Sequence, residues 1–587
     1  MLNSNKYRKI LERIKQFIQN PNLIINRIKK KFIVDRINNE FDVNLESELY
    51  SRWLCKRIEL RSERVNIVNE PRLFSLLTGI YEKTSPQLLI ETATSILGQS
   101  FSGFQWVILK HGSISEELQA VIQEIIKDIR ITYIELDNNL GIIGGMQYCL
   151  KAATGKYIVP MDADDLLTID ALQCIAQAIV DYNFPAFLYS DEDILVDKQL
   201  KHPYFRGDWD PVLNWASSYI WHLCAFLRED AIALGVYTDL QSNWCHDWDT
   251  VCRFHNSGVA PIHIPEITYH WRHHANSSTN RPDPESGSLA SQRHILELQI
   301  AQKPHPDNFD VKLFPIDRGA PEWYIYRKPI EPKNLQVILF TVSAKQSLIS
   351  IKKILKESNY PFSVFHIVGI EEQDWIQEIK NIKVCFWRNY EHLQQIVSNL
   401  DAGLTLVYHS QVQPLGDYWP WETLCLKDFH SDIVLFSGRV INYQNNILAG
   451  GEIFGISSVL TPNQGKHKNN PGEYALALKP HSCSAVNSNF FIAEADFLKT
   501  AINKIPDQVR FDSLGSWLGA IATLEQKRVV FSPLIAAQAI ESCDSNLNRM
   551  TEECQELIDR YPSLFPDTRF LAHSSLLWQN ERLKSLR

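Results

Sequence analysis

Strand-type and helix-type segments alternate strictly between Arg72 and Asp165, and this alternation limits the fold more than any other feature of the chain. Short apolar runs (LFSLLTGIY, FQWVILKHGS, ITYIEL) are separated by longer amphipathic stretches. Short apolar runs are typical of buried strands, and apolar residues that recur every three or four positions are typical of helices. Strands that alternate with helices form parallel β-α-β units with right-handed crossovers. The sequence therefore predicts an α/β fold.

The fourth predicted strand, GKYIVPMDADD, ends in three carboxylates, Asp162, Asp164 and Asp165. Open α/β sheets bind ligands at the carboxyl ends of their strands. Hard divalent cations that keep several waters and bind a substrate diphosphate need carboxylate oxygens. The segment therefore predicts a cation and diphosphate site, although an isolated D-x-D triplet is more often a solvated acidic turn. Asp165 has two interpretations, support for the other acids or a cap of the next helix.

Composition shifts divide the 587 residues. Segments rich in Pro, Asp and Ser (RPDPESGS, KPHPDNFD, KPIEPKN) predict a linker with one helix between residues 281 and 334. The alternation restarts at Leu335 with LQVILFTVS, which indicates an internal duplication. The predicted regions are a basic helical segment at 1–65, a first α/β domain at 66–325, a second at 335–545 and a helical tail at 546–587.

Charge and cysteine content exclude some classes of protein. The net charge of −9 argues against a nucleic-acid binder. The 11 cysteines include no CxxC pair, and no apolar run approaches the ~20 residues that span a bilayer, so we expect a cytoplasmic protein. Residues 1–34 are strongly basic, and Ile10, Ile14 and Phe17 recur at helical spacing. Such a segment either lies on an anionic surface, here the inner face of the plasma membrane, or packs on its own protein.

Four segments stand in order between Arg72 and Thr279. They are IYEKTSPQLLIETATSILGQSF, NNLGIIGGMQYCLKAATGKYIVPMDADDLL, LYSDEDILVD with HPYFRGDWDP, and CHDWDTVCRFHNSG with HIPEITYHWRHHANSST. Together they resemble the family 2 glycosyltransferases of the Rossmann-like GT-A fold, especially those that build O-antigens and other surface polysaccharides. The resemblance implies an inverting transfer of a sugar from a nucleotide-diphosphate donor to a glycan or lipid-linked acceptor, with Mn²⁺ or Mg²⁺ as cofactor.

The resemblance also implies roles for single residues. Asp162 and Asp164 match the D-x-D acids that hold the metal on the donor diphosphate. Asp247, in HDWD, matches the general base, and a positioned carboxylate suits the removal of a proton from an attacking hydroxyl. Asp249 lies two positions on and faces elsewhere on a helix, so we assign it a structural role.

The closing strand YHWR and the end of the second strand complete the implied site. His270 would approach the metal or the diphosphate, and Arg272 would contact phosphate oxygens. A packing cluster at the strand end is an equal alternative for both. Lys110 and His111 stand where the family usually has two acids that help bind the nucleotide. We interpret them as donor-binding residues, with Lys110 on a phosphate, or as signs of an altered nucleotide pocket.

The second α/β domain resembles the same family more faintly. The place of the metal-binding acids holds His409, Ser410 and Gln411, and Asp512 lies one or two positions from that of the base. Neutral side chains cannot compensate the charge of a metal ion. We therefore predict that this domain is degenerate and has no transferase activity. A different class of function for the whole chain is an inert GT-A-like protein that binds glycan or scaffolds a glycan-assembly complex.

Overall fold

The computed structural model describes most of the chain outside its N-terminal segment. The basic segment at residues 1–34, and with it the membrane hypothesis, lies outside the described residues. No helix in the described part is both long and apolar enough to cross a bilayer. The described ranges are 45–62, 72–273, 287–316, 321–370, 382–388, 392–506, 509–540, 551–571 and 573–585.

The helices are mostly short, and several begin at residues that the sequence marks as starts. Ser85 accepts a hydrogen bond from the Leu88 N–H and precedes a proline, and Ser115 accepts one from the Leu118 N–H. Such side chains satisfy backbone donors that lack a partner in the first turn. The helices are α1 Leu45–Ser62, α2 Pro86–Leu97, α3 Glu116–Ile125, α4 Gly141–Ala152, α5 Ala171–Asp181, α6 Pro211–Ala216, α7 Arg228–Ala233, α8 His246–Asn256, α9 Gly287–Ala301, α10 Ala344–Glu357, α11 Leu393–Ser398, α12 Trp419–Phe429, α13 Ala495–Ala501, α14 Leu514–Leu524, α15 Thr551–Arg560 and α16 His573–Ser585.

The strands include long buried ones at the centres of two sheets and short ones at their margins. They are β1 Phe74–Ile80, β2 Phe104–His111, β3 Ile131–Leu136, β4 Tyr157–Pro160, β5 Leu166–Leu167, β6 Phe187–Val196, β7 Gln199–Tyr204, β8 Cys224–Leu227, β9 Ile262–Arg272, β10 Phe309–Leu313, β11 Trp323–Arg327, β12 Leu335–Phe340, β13 Phe362–Val368, β14 Lys383–Trp387, β15 Leu404–His409, β16 Val412–Pro414, β17 Ile433–Ile441, β18 Ile447–Ala449, β19 Gly451–Phe454, β20 Val459–Leu460, β21 His481–Cys483, β22 Ala485–Val486, β23 Phe490–Glu494 and β24 Arg528–Ala539.

The chain forms two compact units. The first consists of residues 1–209, 219–295 and 572–587, and the second of residues 210–218 and 296–571. Residues 281–334, which the sequence marks as a linker with one helix, contain the described part of α9 and also an antiparallel hairpin of β10 and β11. The hairpin packs within the second unit, where the Tyr324 hydroxyl donates to Glu422 at 2.8 Å.

The sheet of the first unit has the strand order β3-β2-β1-β4-β8-β6-β9-β5, with β7 paired to β6. Strands β1 to β4 pair in parallel, as the alternation predicts, and β8 runs antiparallel to both β4 and β6. Every residue of β2 is buried, and β1 is nearly so, because helices cover both faces of the parallel part. The predicted α/β fold class is confirmed.

The sheet of the second unit has the order β14-β13-β12-β15-β23-β17-β24-β16. This order repeats that of the first sheet strand for strand, including the antiparallel strand β23 in the place of β8. The last short strand, β16, pairs antiparallel with β24, as β5 pairs with β9. The duplication indicated by the sequence therefore extends through the complete sheet.

Candidate active site

The acids that follow β4 emerge at the carboxyl edge of the first sheet. Pro160 pairs with Leu77 of β1, and the Met161 N–H continues the ladder to the Leu77 carbonyl at 3.0 Å. Beyond this bond the chain leaves the sheet as a loop of residues 161–165 and returns to it as β5. The Asp162 side chain is 64% exposed, whereas Asp165 is only 1% exposed. The two ends of the D-A-D-D run therefore face different surroundings.

Asp165 fastens the loop to β9. Its Oδ2 accepts the Tyr269 hydroxyl at 2.6 Å, and its Oδ1 accepts the Arg272 N–H at 2.7 Å. Burial and the neighbouring charge of Asp162 raise the pKa of Asp165 well above its ordinary value. The helix cap that the sequence allowed for Asp165 is not formed, because α5 begins after Asp170. Asp165 therefore holds the loop against β9 through both oxygens of its carboxylate.

His222, which the sequence analysis did not single out, lies between two carboxylates. Its Nε2 is 3.6 Å from Asp162 Oδ2, and its Nδ1 is 3.4 Å from Glu192 Oε2. The imidazole stacks on the Tyr269 ring with centroids 4.6 Å apart. Burial opposes its protonation, but the two acids outweigh burial and raise the pKa of His222 well above its ordinary value. Desolvation works against ionisation of Asp162 too, yet His222 holds the pKa of Asp162 below its usual value.

The ligand atoms of Asp162, Asp165 and His222 lie within 4.8 Å of one another, a spacing compatible with a metal ion. Two of these groups already have other partners, because Asp165 binds Tyr269 and Arg272, and His222 faces Glu192. The exposed carboxylate of Asp162 offers hard oxygen ligands of the kind that Mn²⁺ and Mg²⁺ prefer. Of these three groups, the exposed Asp162 carboxylate is therefore the one that suits a divalent cation.

Asp247 lies in the first turn of α8, where its carboxylate is half-buried. Burial raises the pKa of Tyr237 well above its ordinary value, and the charges of both Asp247 and Asp162 add to this rise. The two carboxylates therefore lie near one buried hydroxyl. His246 connects the same elements, since its charge helps to lower the pKa of Asp162. Asp247 and Asp162 thus both lie within electrostatic range of the buried Tyr237 hydroxyl.

Asp249 points elsewhere, as its position on the helix predicts. It is 4% exposed and accepts a hydrogen bond from Arg253 Nε, one helical turn on, at 2.7 Å. The Arg253 side chain also donates to the Leu234 carbonyl at 3.0 Å. Asp249 therefore anchors α8 to the preceding segment.

His270 lies apart from the acids. Its Nδ1 is 2.6 Å from Asp193 Oδ1, and the Tyr50 hydroxyl of α1 donates to Asp193 Oδ2 at 2.7 Å. Successive side chains of a strand point to opposite faces, so His270 faces away from Tyr269 and Asp165. The structure pairs His270 with Asp193 and does not bring it to the proposed metal ligands.

Arg272 contacts the acidic loop directly. Its Nε donates to the Asp164 carbonyl at 2.6 Å, and a terminal nitrogen pairs with Glu91 Oε2 at 2.8 Å. Together with the bond from its N–H to Asp165, these contacts clamp the loop between β9 and α2. These contacts place Arg272 beside the acidic loop, and they fit both a packing role and a phosphate-binding role.

Lys110 and His111 lie at the carboxyl end of β2. Lys110 Nζ pairs at 2.8 Å with Glu135, its register partner on β3, and His111 Nδ1 accepts the Leu140 N–H at 3.3 Å. Burial lowers the pKa of His111. Tyr81 links these residues to the acids, because its ring centroid is 6.4 Å from that of His111, while burial and the charges of Asp164 and Asp162 raise its pKa.

Comparison with known proteins identifies a family that part of this chain resembles. Residues 75–234 match the model described as "Glycosyl transferase family 2". The O-antigen biosynthesis protein RfbC of Myxococcus xanthus is 24% identical over 287 residues, which are 46% of this chain and 22% of RfbC. The UDP-Gal:alpha-D-GlcNAc-diphosphoundecaprenol beta-1,3-galactosyltransferase of Escherichia coli is 28% identical over 102 residues, which are 17% of this chain and 37% of that enzyme. The matches therefore cover well under half of these relatives.

Solved structures of other proteins also align with part of this chain. The structure of S. aureus TarS residues 1–349 in complex with UDP-GlcNAc aligns with a TM-score of 0.33 and 16% identity, over 40% of this chain and 69% of that chain. The mannosyltransferase PcManGT of Pyrobaculum calidifontis, in complex with GDP-Man and Mn²⁺, aligns with a TM-score of 0.29 and 17% identity, over 46% of this chain and 70% of that chain.

Proposed function

The first unit carries a glycosyl transferase family 2 domain over residues 75–234, and from this premise we propose that the chain is an inverting glycosyltransferase. The match confirms the resemblance seen in the sequence, and together with the strand order it confirms the α/β fold of GT-A type. The proposed reaction moves a sugar from a nucleotide-diphosphate donor to a glycan or lipid-linked acceptor in surface polysaccharide synthesis. The proposal is supported by the position of Asp162 at the carboxyl edge of the sheet and by the charges of Asp162 and Asp247, which both act on the buried Tyr237.

Asp247 is the proposed general base. The acceptor hydroxyl must lose its proton as it attacks the anomeric carbon, and a carboxylate at the mouth of the site accepts it. The first turn of α8 is a favourable place for this charge, because the unpaired N–H groups of a helix N-terminus stabilise an anion. A single displacement with one base inverts the anomeric configuration.

Asp162 and Asp164 are the residues proposed to hold Mn²⁺ or Mg²⁺. When bound, a divalent ion supplies positive charge that offsets the negative charge developing on the departing nucleoside diphosphate. Arg272 keeps the loop in place through its bond to the Asp164 carbonyl, and it is proposed to contact a phosphate oxygen of the donor. Lys110 and His111 are proposed to bind the nucleotide part of the donor. His270, paired with Asp193, is the weakest of the predicted ligands.

The second unit is proposed to lack transferase activity, because Gln411 stands where the first sheet presents Asp162. An inert glycan-binding protein or scaffold is the alternative function for the whole chain. A cytoplasmic location is part of this proposal.

Nucleotide binding separates these two functions. Thermal unfolding of the full chain should be measured with UDP, GDP or dTDP, each with Mn²⁺ and again with EDTA. A glycosyltransferase should be stabilised by one nucleotide in a Mn²⁺-dependent way, because a ligand that binds only the folded state raises its stability. An unchanged melting temperature with all three nucleotides would leave only the inert function standing.

A further inference from the structure

Trp244 is a large aromatic residue left open to solvent close to the proposed base. It is 48% exposed, and the neighbouring Leu240 is 71% exposed. Both lie in the segment that leads into α8, and Trp244 precedes Asp247 by three positions. Three residues span at most about 11 Å between their Cα atoms, so Trp244 lies close to the start of α8 that carries Asp247.

Helix α9 holds this segment in a fixed position. The Nε1–Cδ1 edge of the indole abuts Gly287, where an added Cβ would lie 2.4 Å from Nε1 and 2.6 Å from Cδ1. Ser291 Oγ accepts the Trp244 N–H at 3.3 Å and donates to the Gln241 carbonyl at 2.7 Å. One turn further along α9, His294 Nε2 pairs with Asp239 at 2.7 Å. The indole is therefore seated by its edge on a glycine.

The opposite side of the segment contacts the start of α4. Asn243 Oδ1 accepts the Ile143 N–H at 3.1 Å, so the two loops lie side by side. Leu140, just before α4, and Ile142, in its first turn, are 38% and 37% exposed. Together with Leu240 and Trp244 they are exposed apolar side chains on two neighbouring segments.

We propose that Trp244 is the acceptor platform, on which a pyranose ring of the acceptor glycan stacks while its hydroxyl faces Asp247. The axial C–H groups of a pyranose form an apolar face, and the negative face of an indole attracts such positively polarised hydrogens. A rigid aromatic with few rotatable bonds binds at a small cost in conformational entropy. This inference rests on the proposed function and adds the residue that selects a glycan as acceptor.

The test uses the full chain with UDP or whichever nucleotide stabilises it, Mn²⁺, and the methyl glycosides of glucose, galactose, mannose and N-acetylglucosamine. Saturation-transfer NMR should show contact to ring C–H protons of at least one glycoside. Trp244→Ala should weaken that binding about tenfold, and Trp244→Phe should restore most of it because an aromatic face remains. Gly287→Ala should weaken it too, because the new Cβ displaces the indole.

Matched measurements separate this role from a structural one. Tyr443→Ala removes an aromatic residue of the second unit that is 60% exposed and should leave glycoside binding unchanged. The Trp244 variants should keep the melting temperature and the nucleotide-induced shift of the wild type. A wild type that binds nucleotide but none of the glycosides overturns the platform, as does a Trp244→Ala variant that binds glycoside normally or loses nucleotide instead. A wild type that binds neither overturns the proposed function itself.

Discussion

The two sheets have the same strand order and differ where the fourth strand of each one ends. In the first sheet the Met161 N–H bonds to Leu77, and in the second the Ser410 N–H bonds to Phe340 at the same step of the ladder. Asp162 and Gln411 therefore occupy equivalent positions. In the first sheet, residues 163–165 follow Asp162 before β5 begins. In the second sheet, β16 begins directly after Gln411. The second sheet has lost the acidic loop, not only its charges.

The surroundings of the two edges differ in the same sense. Phe511, in the turn before α14, packs on Phe340 with ring centroids 4.2 Å apart and on His409 at 5.9 Å. Burial lowers the pKa of His409 to about 4, so this histidine is neutral at physiological pH. The first sheet has Asp162, His222 and Asp247 in this region instead. The comparison shows that the fold persists without the acids, and it assigns the proposed chemistry to one loop and one helix start.

The largest expected difference between the two units concerns the base. Asp247→Asn should lower the transfer rate by about 10²–10⁴-fold, because the amide cannot accept the proton of the acceptor hydroxyl. Nucleotide binding should remain nearly intact. The matched control is Asp512→Asn, which changes the acid nearest the equivalent place in the second unit and should leave the rate unchanged. A full transfer rate for Asp247→Asn would mean that Asp247 is not the base. A reduced rate for Asp512→Asn would mean that the second unit takes part in the reaction.

The proposed metal ligand gives the next largest effect. At a nucleotide concentration of about 100 times Kd, binding adds about 2.7 kcal/mol to the stability of the folded state. Asp162→Asn should abolish most of this Mn²⁺-dependent stabilisation, because it removes a charged oxygen ligand. Gln411→Asn, a substitution at the equivalent position of the second sheet, should preserve the Mn²⁺-dependent stabilisation. Thermal unfolding with and without EDTA measures both variants, and a full shift in Asp162→Asn would contradict its role.

Much of the first unit could be predicted from local patterns. The alternation of segments predicts the parallel strands, and Asp162, Asp164 and Asp247 lie on motifs that are readable within a few residues. Which of these groups face one another depends on strand order. His222 reaches Asp162 because β8 is inserted antiparallel beside β4, and no pattern around His222 in the chain indicates this neighbour.

Register decides the remaining contacts in the same way. Lys110 meets Glu135 because the two residues are paired across β2 and β3. His270 points away from Asp165 because Tyr269, the residue before it in the strand, faces the acids, so the expected approach of His270 to the metal ligands is not found. In the second unit the sequence reveals the missing acids, but only the positions of β15 and β16 reveal that the loop is shorter.

The smallest expected effect concerns Glu452, a buried acid of the second unit. Glu452 is 2% exposed and accepts hydrogen bonds from Asn487 at 3.0 Å and Ser516 at 3.2 Å. Burial raises the pKa of Glu452 to about 7 from its ordinary value of 4.5. The folded state therefore binds the proton more tightly than the unfolded chain, and stability should fall as pH rises from 4.5 through 7, by up to about 3 kcal/mol.

Glu452→Gln should remove this pH dependence, because the amide does not ionise. The variant should be more stable than the wild type at pH 8 by about 1–2 kcal/mol, since its extra N–H group lacks a partner and cancels part of the gain. At pH 5, where the wild-type carboxyl is neutral, the variant should be the less stable protein, so the two stability curves cross. Urea unfolding of the full chain from pH 5 to 8 measures this, with the exposed Glu473→Gln as control. Parallel curves would mean that Glu452 is ionised in the fold, and that the second unit retains a buried negative charge as the first unit does.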